Sequence, residues 1–124
     1  MLSKAKMVKA RKAIESLYDG TCTITEHQKI KKENMSTGFA DVVVLESEPC
    51  RLSFKTVTGA SSSGTASAIT QDVKVFLAPE IQVKPGSKLT ITQNGVTTEY
   101  KSSGQPAFYA THQEILLELF KGWA

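Results

Sequence analysis

Residues 84–101 read KPGSKLTITQNGVTTEYK and predict a β-hairpin together with its register. Two strand-like runs flank Asn94 and Gly95, a pair that suits a type I′ turn because both central positions take a positive φ. The predicted pairs are Gln93 with Val96, Ile91 with Thr98 and Leu89 with Tyr100. All six side chains then share one largely apolar face. A shift by one residue would bury threonines and a glutamate instead, so the turn and the alternation agree on one pairing.

A lone hairpin is marginal in water, so other segments must supply the opposite wall. Period-two alternation predicts strands at residues 21–30, 50–55, 69–77 and most of 108–120, and the continuous apolar run at residues 42–45 predicts a further strand at 39–46. Pro49 is expected to break the chain between the strands at 39–46 and 50–55, residues 29–38 to form a polar hairpin tip, and residues 102–106 to form a turn. The run at 108–120 also fits a helix, but its alternation favours a strand.

The segment before the strands reads as a helix over residues 3–18. Its apolar stripe consists of Met7, Ala10, Ile14 and Leu17, at steps of three and four residues, and Gly20 is suited to end it. The basic residues fall mainly off that stripe, and they are Lys4, Lys6, Lys9, Arg11 and Lys12. Two interpretations remain open: a solvated helix face, or contact with nucleic acid or with an acidic neighbouring subunit.

Length and composition favour one folded domain over residues 1–124. The apolar fraction is 40%, the charged fraction is 22% and the net charge is +3, all within the range of ordinary globular domains. We therefore predict a mainly β fold: a small six- to seven-stranded antiparallel β-barrel over residues 21–120 with an N-terminal α-helix. A sandwich fits the same pattern less well.

No apolar run approaches the ~18 residues of a membrane span, and no signal-peptide pattern follows the basic start. We expect a protein that acts without a membrane and stays in the cytoplasm where it is made. Cys22 and Cys50 lie on separate predicted strands in a spacing that matches no zinc or redox motif. Two buried thiols are therefore expected in preference to a disulfide.

Residues 58–67, TGASSSGTAS, form the clearest break in composition. Their small uncharged side chains predict a flexible loop between two strands, because Gly- and Ser-rich segments behave as random coils. The loop residues of functional interest are Gly59, Ala60, Ser61, Ser62, Ser63, Gly64 and Thr65. A connection of this length is often functional, so a loop that orders against a partner and a disordered loop both remain open.

Residue patterns for catalysis are scarce. His27 and His112 are the two histidines, and neither lies in a ligand-like spacing with cysteines or acidic residues. His112 with Glu114 could resemble a hydrolase pair, but alternating strand positions simply place both on one exposed face. Glu114 and Glu118 are expected to face Lys101 or Lys88 across the sheet. We expect no enzyme activity, no metal and no cofactor.

A single-stranded nucleic-acid-binding barrel is the main alternative among binding proteins. Such barrels need a cationic groove with aromatic platforms for the bases. The aromatic candidates here are Phe76, Phe108 and Tyr109, and no basic stripe surrounds them.

The order of these segments resembles the small head-completion proteins encoded in prophages of Gram-positive bacteria, which are similar in kind to stopper proteins of the head-to-tail connector. The resemblance covers residues 17–123 and rests on the helix, Tyr-Asp-Gly, VVVLE, PCRLSF, the loose loop, Ala-Pro-Glu, KPGSKLTITQNGVTTEYK and THQEILLELFKGW. It is a resemblance of overall pattern.

The resemblance implies a virion protein that assembles in the bacterial cytoplasm from monomers into a ring, commonly six-fold, between the portal and adaptor and the tail. Such a ring helps retain packaged DNA, which passes through without its sequence being read. The loop at 58–67 is the segment placed to close the channel. The helix is longer than a minimal stopper needs, so an adaptor or tail-terminator role remains an alternative.

Overall fold

The computed structural model describes residues 3–31, 33, 36–58 and 69–123. The elements are α1 (Lys4–Glu15), β1 (Gly20–Lys31), β2 (Thr37–Thr58), β3 (Ile69–Leu77), β4 (Lys88–Gln93), β5 (Val96–Phe108) and β6 (Gln113–Leu119). The strands form a closed barrel in the order β1-β2-β3-β6-β5-β4, and every pairing is antiparallel. The predicted mainly β barrel with an N-terminal helix is therefore confirmed.

The β4–β5 hairpin has the predicted register: Gln93 pairs with Val96, Ile91 with Thr98 and Leu89 with Tyr100. Asn94 and Gly95 take the positive φ values of 54° and 76° that the turn requires. Leu89, Ile91 and Tyr100 are buried as expected, whereas Val96 is 62% exposed. The apolar face of the hairpin thus extends past the buried core, because the turn lies at the mouth of the barrel.

Inward-facing side chains fill the barrel. The buried apolar residues are Cys22, Ile24, Cys50, Leu52, Val75, Leu77, Val83, Leu89, Ile91, Tyr100, Ile115 and Leu117. Each large one contributes about 1.5–3 kcal/mol by leaving water. Cys22 and Cys50 are free, buried thiols, as predicted. A hydrogen bond with Cys50 and burial together raise the pKa of the Cys22 thiol, so it stays neutral.

Two glutamine side chains form hydrogen bonds with backbone N–H and carbonyl groups of neighbouring segments. Gln93 lies beside β2, where its Oε1 accepts from the Leu52 backbone N–H at 2.8 Å and its Nε2 donates to the Leu52 carbonyl at 3.5 Å. Gln113 is fully buried, and its Nε2 donates to the carbonyls of Ala78 and Ile81 at 2.8 and 2.5 Å. Both amides therefore tie neighbouring segments to the barrel wall.

The expected break at Pro49 is wrong, because β2 runs through it as one strand of 22 residues. Pro49 pairs with Thr21 at the end of the β1 contact, and from Arg51 onward β2 pairs with β3 instead. Ser47, with a φ of 51°, adds a local irregularity just before this exchange of partners. Proline is tolerated at such a place because few ladder hydrogen bonds are lost there.

The turn expected at residues 102–106 is also wrong, since these residues lie within β5. The register shifts between Ser103 and Ala107, and Gly104 takes a φ of 75°. The polar, Gly- and Pro-containing stretch is therefore a bulged strand. Buried Ser102 anchors it, because its Oγ donates to the Lys84 carbonyl at 3.0 Å and its N–H donates to the Ser87 carbonyl at 2.9 Å.

Helix α1 is three residues shorter than predicted at its carboxyl end. Ser3 caps its start by accepting from the Lys6 N–H at 3.3 Å, and Ser16 is the C-cap. The N–H groups of Leu17 and Tyr18 bond to carbonyls three residues back, so the chain tightens there instead of continuing the helix. No residue of α1 is buried. The helix thus rests on the barrel and contributes little to its core.

Candidate interaction surfaces

A two-stranded ribbon extends past the barrel, and we call it the arm: residues 26–31 of β1 paired with residues 37–42 of β2. β4 pairs with β1 only as far as Thr25, and β3 pairs with β2 only from Arg51. No other strand among the described residues pairs with the arm. The arm takes up five of the ten residues of the hairpin tip predicted at 29–38, because strand pairing continues to Lys31 and Thr37.

Three stacked rings hold the arm against the barrel. The His27 imidazole lies between Phe39 and Trp123, with ring centroids 4.7 and 4.9 Å apart and planes within 14° of parallel. His27 Nδ1 also lies 3.0 Å from an Asp41 carboxylate oxygen. Trp123, near the carboxyl end of the chain, therefore holds the His27 ring of the arm in place.

Trp123 reaches the arm because the carboxyl-terminal segment crosses the outside of the barrel. The Phe120 N–H donates to the Glu99 carbonyl at 3.1 Å, and Lys88 Nζ lies 4.9 Å from the centre of the Phe120 ring. Phe120 and Trp123 meet edge to face at 5.0 Å. The segment at residues 120–123 thus forms a strap across β5, β4 and β1. Sequence reasoning missed this role, although a lone tryptophan in 124 residues is a signal worth weighing.

Two groups of exposed apolar side chains lie next to the arm and at the mouth of the barrel. The arm patch consists of Phe39 on the arm and of Val43 and Val44 beside it on β2, which are 62%, 49% and 40% exposed. The mouth patch consists of Phe54, Val96 and Leu119, which are 51%, 62% and 59% exposed. Phe54 lines one groove with Leu119 and a second with Val96, so the mouth patch is continuous.

The two patches lie at different positions along β1: Phe39 pairs with Lys29 and Val43 with Thr25, whereas the mouth patch lies beyond the Gly20 end. The arm includes the Lys31 end of β1. At the other end, Gly20 pairs with Cys50 and Thr21 pairs with Thr92. Phe54 and Val96 of the mouth patch follow Cys50 and Thr92 along the chain. Val43 and Val44 of the apolar run at residues 42–45 belong to the arm patch. The register shifts opposite them, because Ile24 pairs with Leu45 and Thr25 pairs with Val43. Of this run, Leu45 packs against the core.

The structure divides the predicted basic cluster of α1. Arg11 Nε lies 3.4 Å from Glu15, and Arg11 Nη2 pairs with Glu80 on the barrel. The hydrogen bond to Glu80 raises the pKa of Arg11 and lowers that of Glu80. Arg11 is therefore the anchor of the helix. Lys4, Lys6, Lys9 and Lys12 remain exposed and form what we call the lysine face.

The predicted flexible loop falls largely outside the described residues. Thr58, its first residue, instead belongs to β2 and pairs with Ile69 at the start of β3. Gly59, Ala60, Ser61, Ser62, Ser63, Gly64 and Thr65 all lie outside the described part of the chain. Their proposed contact with a channel or a partner stays a prediction.

His112 and Glu114 do lie on one face, as expected. His112 Nε2 is 3.0 Å from a Glu114 carboxylate oxygen and its Nδ1 is 3.1 Å from the Thr111 hydroxyl, so both ring nitrogens are engaged. The imidazole stacks on Tyr109 at 4.8 Å and meets Phe76 edge-on at 5.6 Å. These contacts hold the ring in place and occupy two of the aromatic side chains considered as base platforms.

The cross-strand charge pairs differ in part from those predicted. Glu114 pairs with Lys74 at 3.5 Å, and Lys88 pairs with Glu99 at 2.7 Å. Glu118 lies opposite Lys101 in the β5–β6 register, as expected. The expected partners of Glu114 were wrong because β6 borders β3 as well as β5.

Among the described residues, no cluster of three or more histidine, cysteine or acidic side chains is arranged to hold a metal ion. Within the same ranges, no helix has the length and apolar character needed to cross a membrane.

Neither a protein-family model nor a curated protein matches this chain. Among solved structures, a likeness is found to the phage-like element PBSX protein xkdH from Bacillus subtilis. The two share 10% sequence identity with a TM-score of 0.47, over 80% of this chain and 91% of the other. A likeness at this level carries no conclusion about shared function.

Proposed function

We propose that this chain is a structural subunit of the head-to-tail connector of a phage or prophage particle. Several copies form a ring between the portal and adaptor and the tail, and the ring helps retain packaged DNA. The order of segments from residue 17 to residue 123 supports the proposal through its resemblance to head-completion proteins. The observed closed barrel with an N-terminal helix is compatible with that role.

The observation that carries the proposal is the pair of separate apolar patches, one on and beside the arm and one at the mouth of the barrel. Exposed apolar patches on a small protein commonly mark contacts with other proteins. Two different patches on one subunit suit a head-to-tail contact, in which the arm of one copy meets another surface of the next, and such contacts close into rings when the rotation permits. A subunit within a stack of rings needs contacts of this kind on more than one side.

The interior of the barrel supports a structural role over ligand binding. Side chains of all six strands fill it, and the buried polar residues Gln113, Ser102 and Ser87 belong to the wall. We therefore place the function on the outer surfaces. An adaptor or tail-terminator ring would use the same surfaces, and its position in the stack separates these alternatives.

The arm patch can be tested with two phenylalanines of equal exposure. Phe39 in the arm patch and Phe108 outside both patches are each 62% exposed. We expect Phe39→Ser to abolish ring formation on portal–adaptor complexes while Phe108→Ser keeps it, with both variants retaining the circular dichroism spectrum of the parent. Electron microscopy of the mixtures gives the ring occupancy. Equal occupancy for the two variants would remove the arm patch from the interface.

A further inference from the structure

We propose that the lysine face of α1 binds the phosphate backbone of double-stranded nucleic acid without reading its sequence. The inference rests on the proposed function, because DNA within a connector is the polyanion it would meet. The inference adds that α1 is the element of the subunit that contacts this DNA.

The four lysines point away from the barrel. At about 100° per residue, Lys4, Lys6, Lys9 and Lys12 fall within an arc of roughly 200° around the helix. Arg11 and Ile14 occupy the remaining arc, where Arg11 meets Glu80 and Ile14 faces Phe76. All four lysines are exposed, and no ion pair in the described part of the chain involves them. Their charges are therefore available to a partner.

The placement of two of these lysines, Lys4 and Lys6, works against the stability of the helix. The first turn of α1 contains no acidic residue, and Lys4 and Lys6 lie in its first turn, near the positive end of the helix dipole. A cation at that end costs roughly 0.3–1 kcal/mol, and a carboxylate there would stabilise by a similar amount. Lys12, in the last turn, lies where a cation stabilises the helix. An anionic partner outside the molecule would offset the cost at Lys4 and Lys6.

Nucleic acid is favoured over a second copy of this chain as that partner. Seven of the twelve carboxylates already pair with or lie opposite a lysine or arginine: Glu15, Glu26, Asp72, Glu80, Glu99, Glu114 and Glu118. A neighbouring copy therefore offers the five others, which are Asp19, Glu33, Asp41, Glu46 and Glu48. A DNA duplex carries one negative charge per about 1.7 Å of its axis, and the ~12 Å from Lys4 to Lys12 spans several of them.

Lysine side chains suit contact with a backbone better than sequence readout. Each ammonium group is a point charge on a flexible stem, whereas base recognition relies mainly on forked or planar groups. Contacts of this kind position the nucleic acid and leave its sequence unread.

The test measures binding of the full chain to a fluorescent duplex of random sequence by anisotropy. The variant K4Q/K6Q/K9Q/K12Q removes the lysine face, and K29Q/K31Q/K55Q/K121Q removes four other exposed lysines with the same change in net charge. Circular dichroism and thermal melting confirm that both remain folded. None of the four substituted lysines is buried in the parent, so we expect the lysine-face variant to keep its fold.

For the parent chain we expect log K to fall with log salt at a slope of about −3 to −4, as four neutralised phosphates predict. The lysine-face variant should bind at least about tenfold more weakly at low salt and lose most of that slope, while the matched control stays within about twofold. Equal losses in the two variants, or unchanged binding by the lysine-face variant, would overturn the inference.

The same variants separate this inference from the proposed function. Rings that form normally from the lysine-face variant but bind no duplex support both. Duplex binding that depends on the lysine face, by a chain that joins no connector, would refute the proposed function alone. A lysine-face variant that loses ring formation and keeps duplex binding would show that the partner is a protein.

Discussion

At the scale of single residues, the barrel depends on side chains that complete backbone hydrogen bonding where strands end. Gln93 is such a residue, because its amide pairs with both the N–H and the carbonyl of Leu52. Gly20 lies beside it, and a Cβ there would lie 3.1–3.2 Å from the carbonyl oxygens of Thr92 and Cys50 and from Gln93 Oε1. The Gln93 amide and the backbone therefore leave no room for a larger side chain at position 20.

We expect Gln93→Ala to lower the free energy of unfolding by about 1–3 kcal/mol, because it leaves the Leu52 backbone groups without their partner. Urea denaturation followed by circular dichroism measures the change. Gln82→Ala, at an exposed position, is the control and should change stability by less than about 0.5 kcal/mol. Equal midpoints for the two variants would show that water replaces the Gln93 amide at no cost.

The Arg11–Glu80 pair gives a second prediction, for pH dependence. The hydrogen bond from Arg11 lowers the pKa of Glu80 below its ordinary value of 4.5, so the ionised carboxylate is favoured in the docked state. The anchoring of α1 is then fully present above pH 4.5 and is lost as the pH falls through the lowered value.

Carbon-13 NMR of the Glu80 carboxyl measures this pKa directly. In Arg11→Gln we expect the pKa to rise toward 4.5, and in Lys12→Gln, on the lysine face, to stay as in the parent. A Glu80 pKa that is unchanged in Arg11→Gln would show that the pair does not form in solution.

At the scale of elements, the arm is the part of the molecule least supported by the barrel. Its two strands have only each other as partners within the described residues, and a two-stranded ribbon alone is marginal in water. The stack of Phe39, His27 and Trp123 supplies the missing support. The strap formed by the carboxyl-terminal segment therefore sets the position of the arm.

Trp123→Ala should speed hydrogen exchange of the arm amides roughly two- to tenfold, since an aromatic pair contributes about 0.5–1.5 kcal/mol. Exchange in β4 and β6 should not change, because their residues belong to the barrel core. Lys121→Ala, in the same exposed segment, is the matched control. Uniformly faster exchange across the barrel would mean that the strap holds the whole fold together.

The elements that could be predicted from the sequence are those specified by local patterns. The β4–β5 hairpin was predicted with its register because turn residues and alternation agree over a short stretch. β6 was predicted as a strand because Gln113, Ile115 and Leu117 alternate, and all three are buried. Local agreement of this kind needs no knowledge of distant contacts.

Errors arose where a distant partner decides the outcome. Pro49 was expected to end a strand, but it lies where β2 exchanges β1 for β3, which no local pattern reveals. The alternation of β1 continues past Ile24 without a core to face, so the arm was not foreseen. Among the candidate site residues, Arg11 was grouped with the lysines because its partner, Glu80, lies 69 residues away.

At the scale of the whole molecule, the described residues present three surfaces that we propose for contacts with partners. The arm patch and the mouth patch are apolar and lie at different positions along β1, and the lysine face is cationic and lies on α1. Separate surfaces of different chemistry suit a subunit that contacts proteins on two sides and a nucleic acid on a third. The two apolar patches are the basis of the proposed connector function, and the role of the lysine face follows from it.

Electron microscopy of the purified chain mixed with a phage portal–adaptor complex tests the connector proposal most directly. We predict an added ring of density below the adaptor, with each subunit's arm in contact with a neighbouring protein. Absence of added density, across concentrations at which the chain is folded, would contradict the proposal.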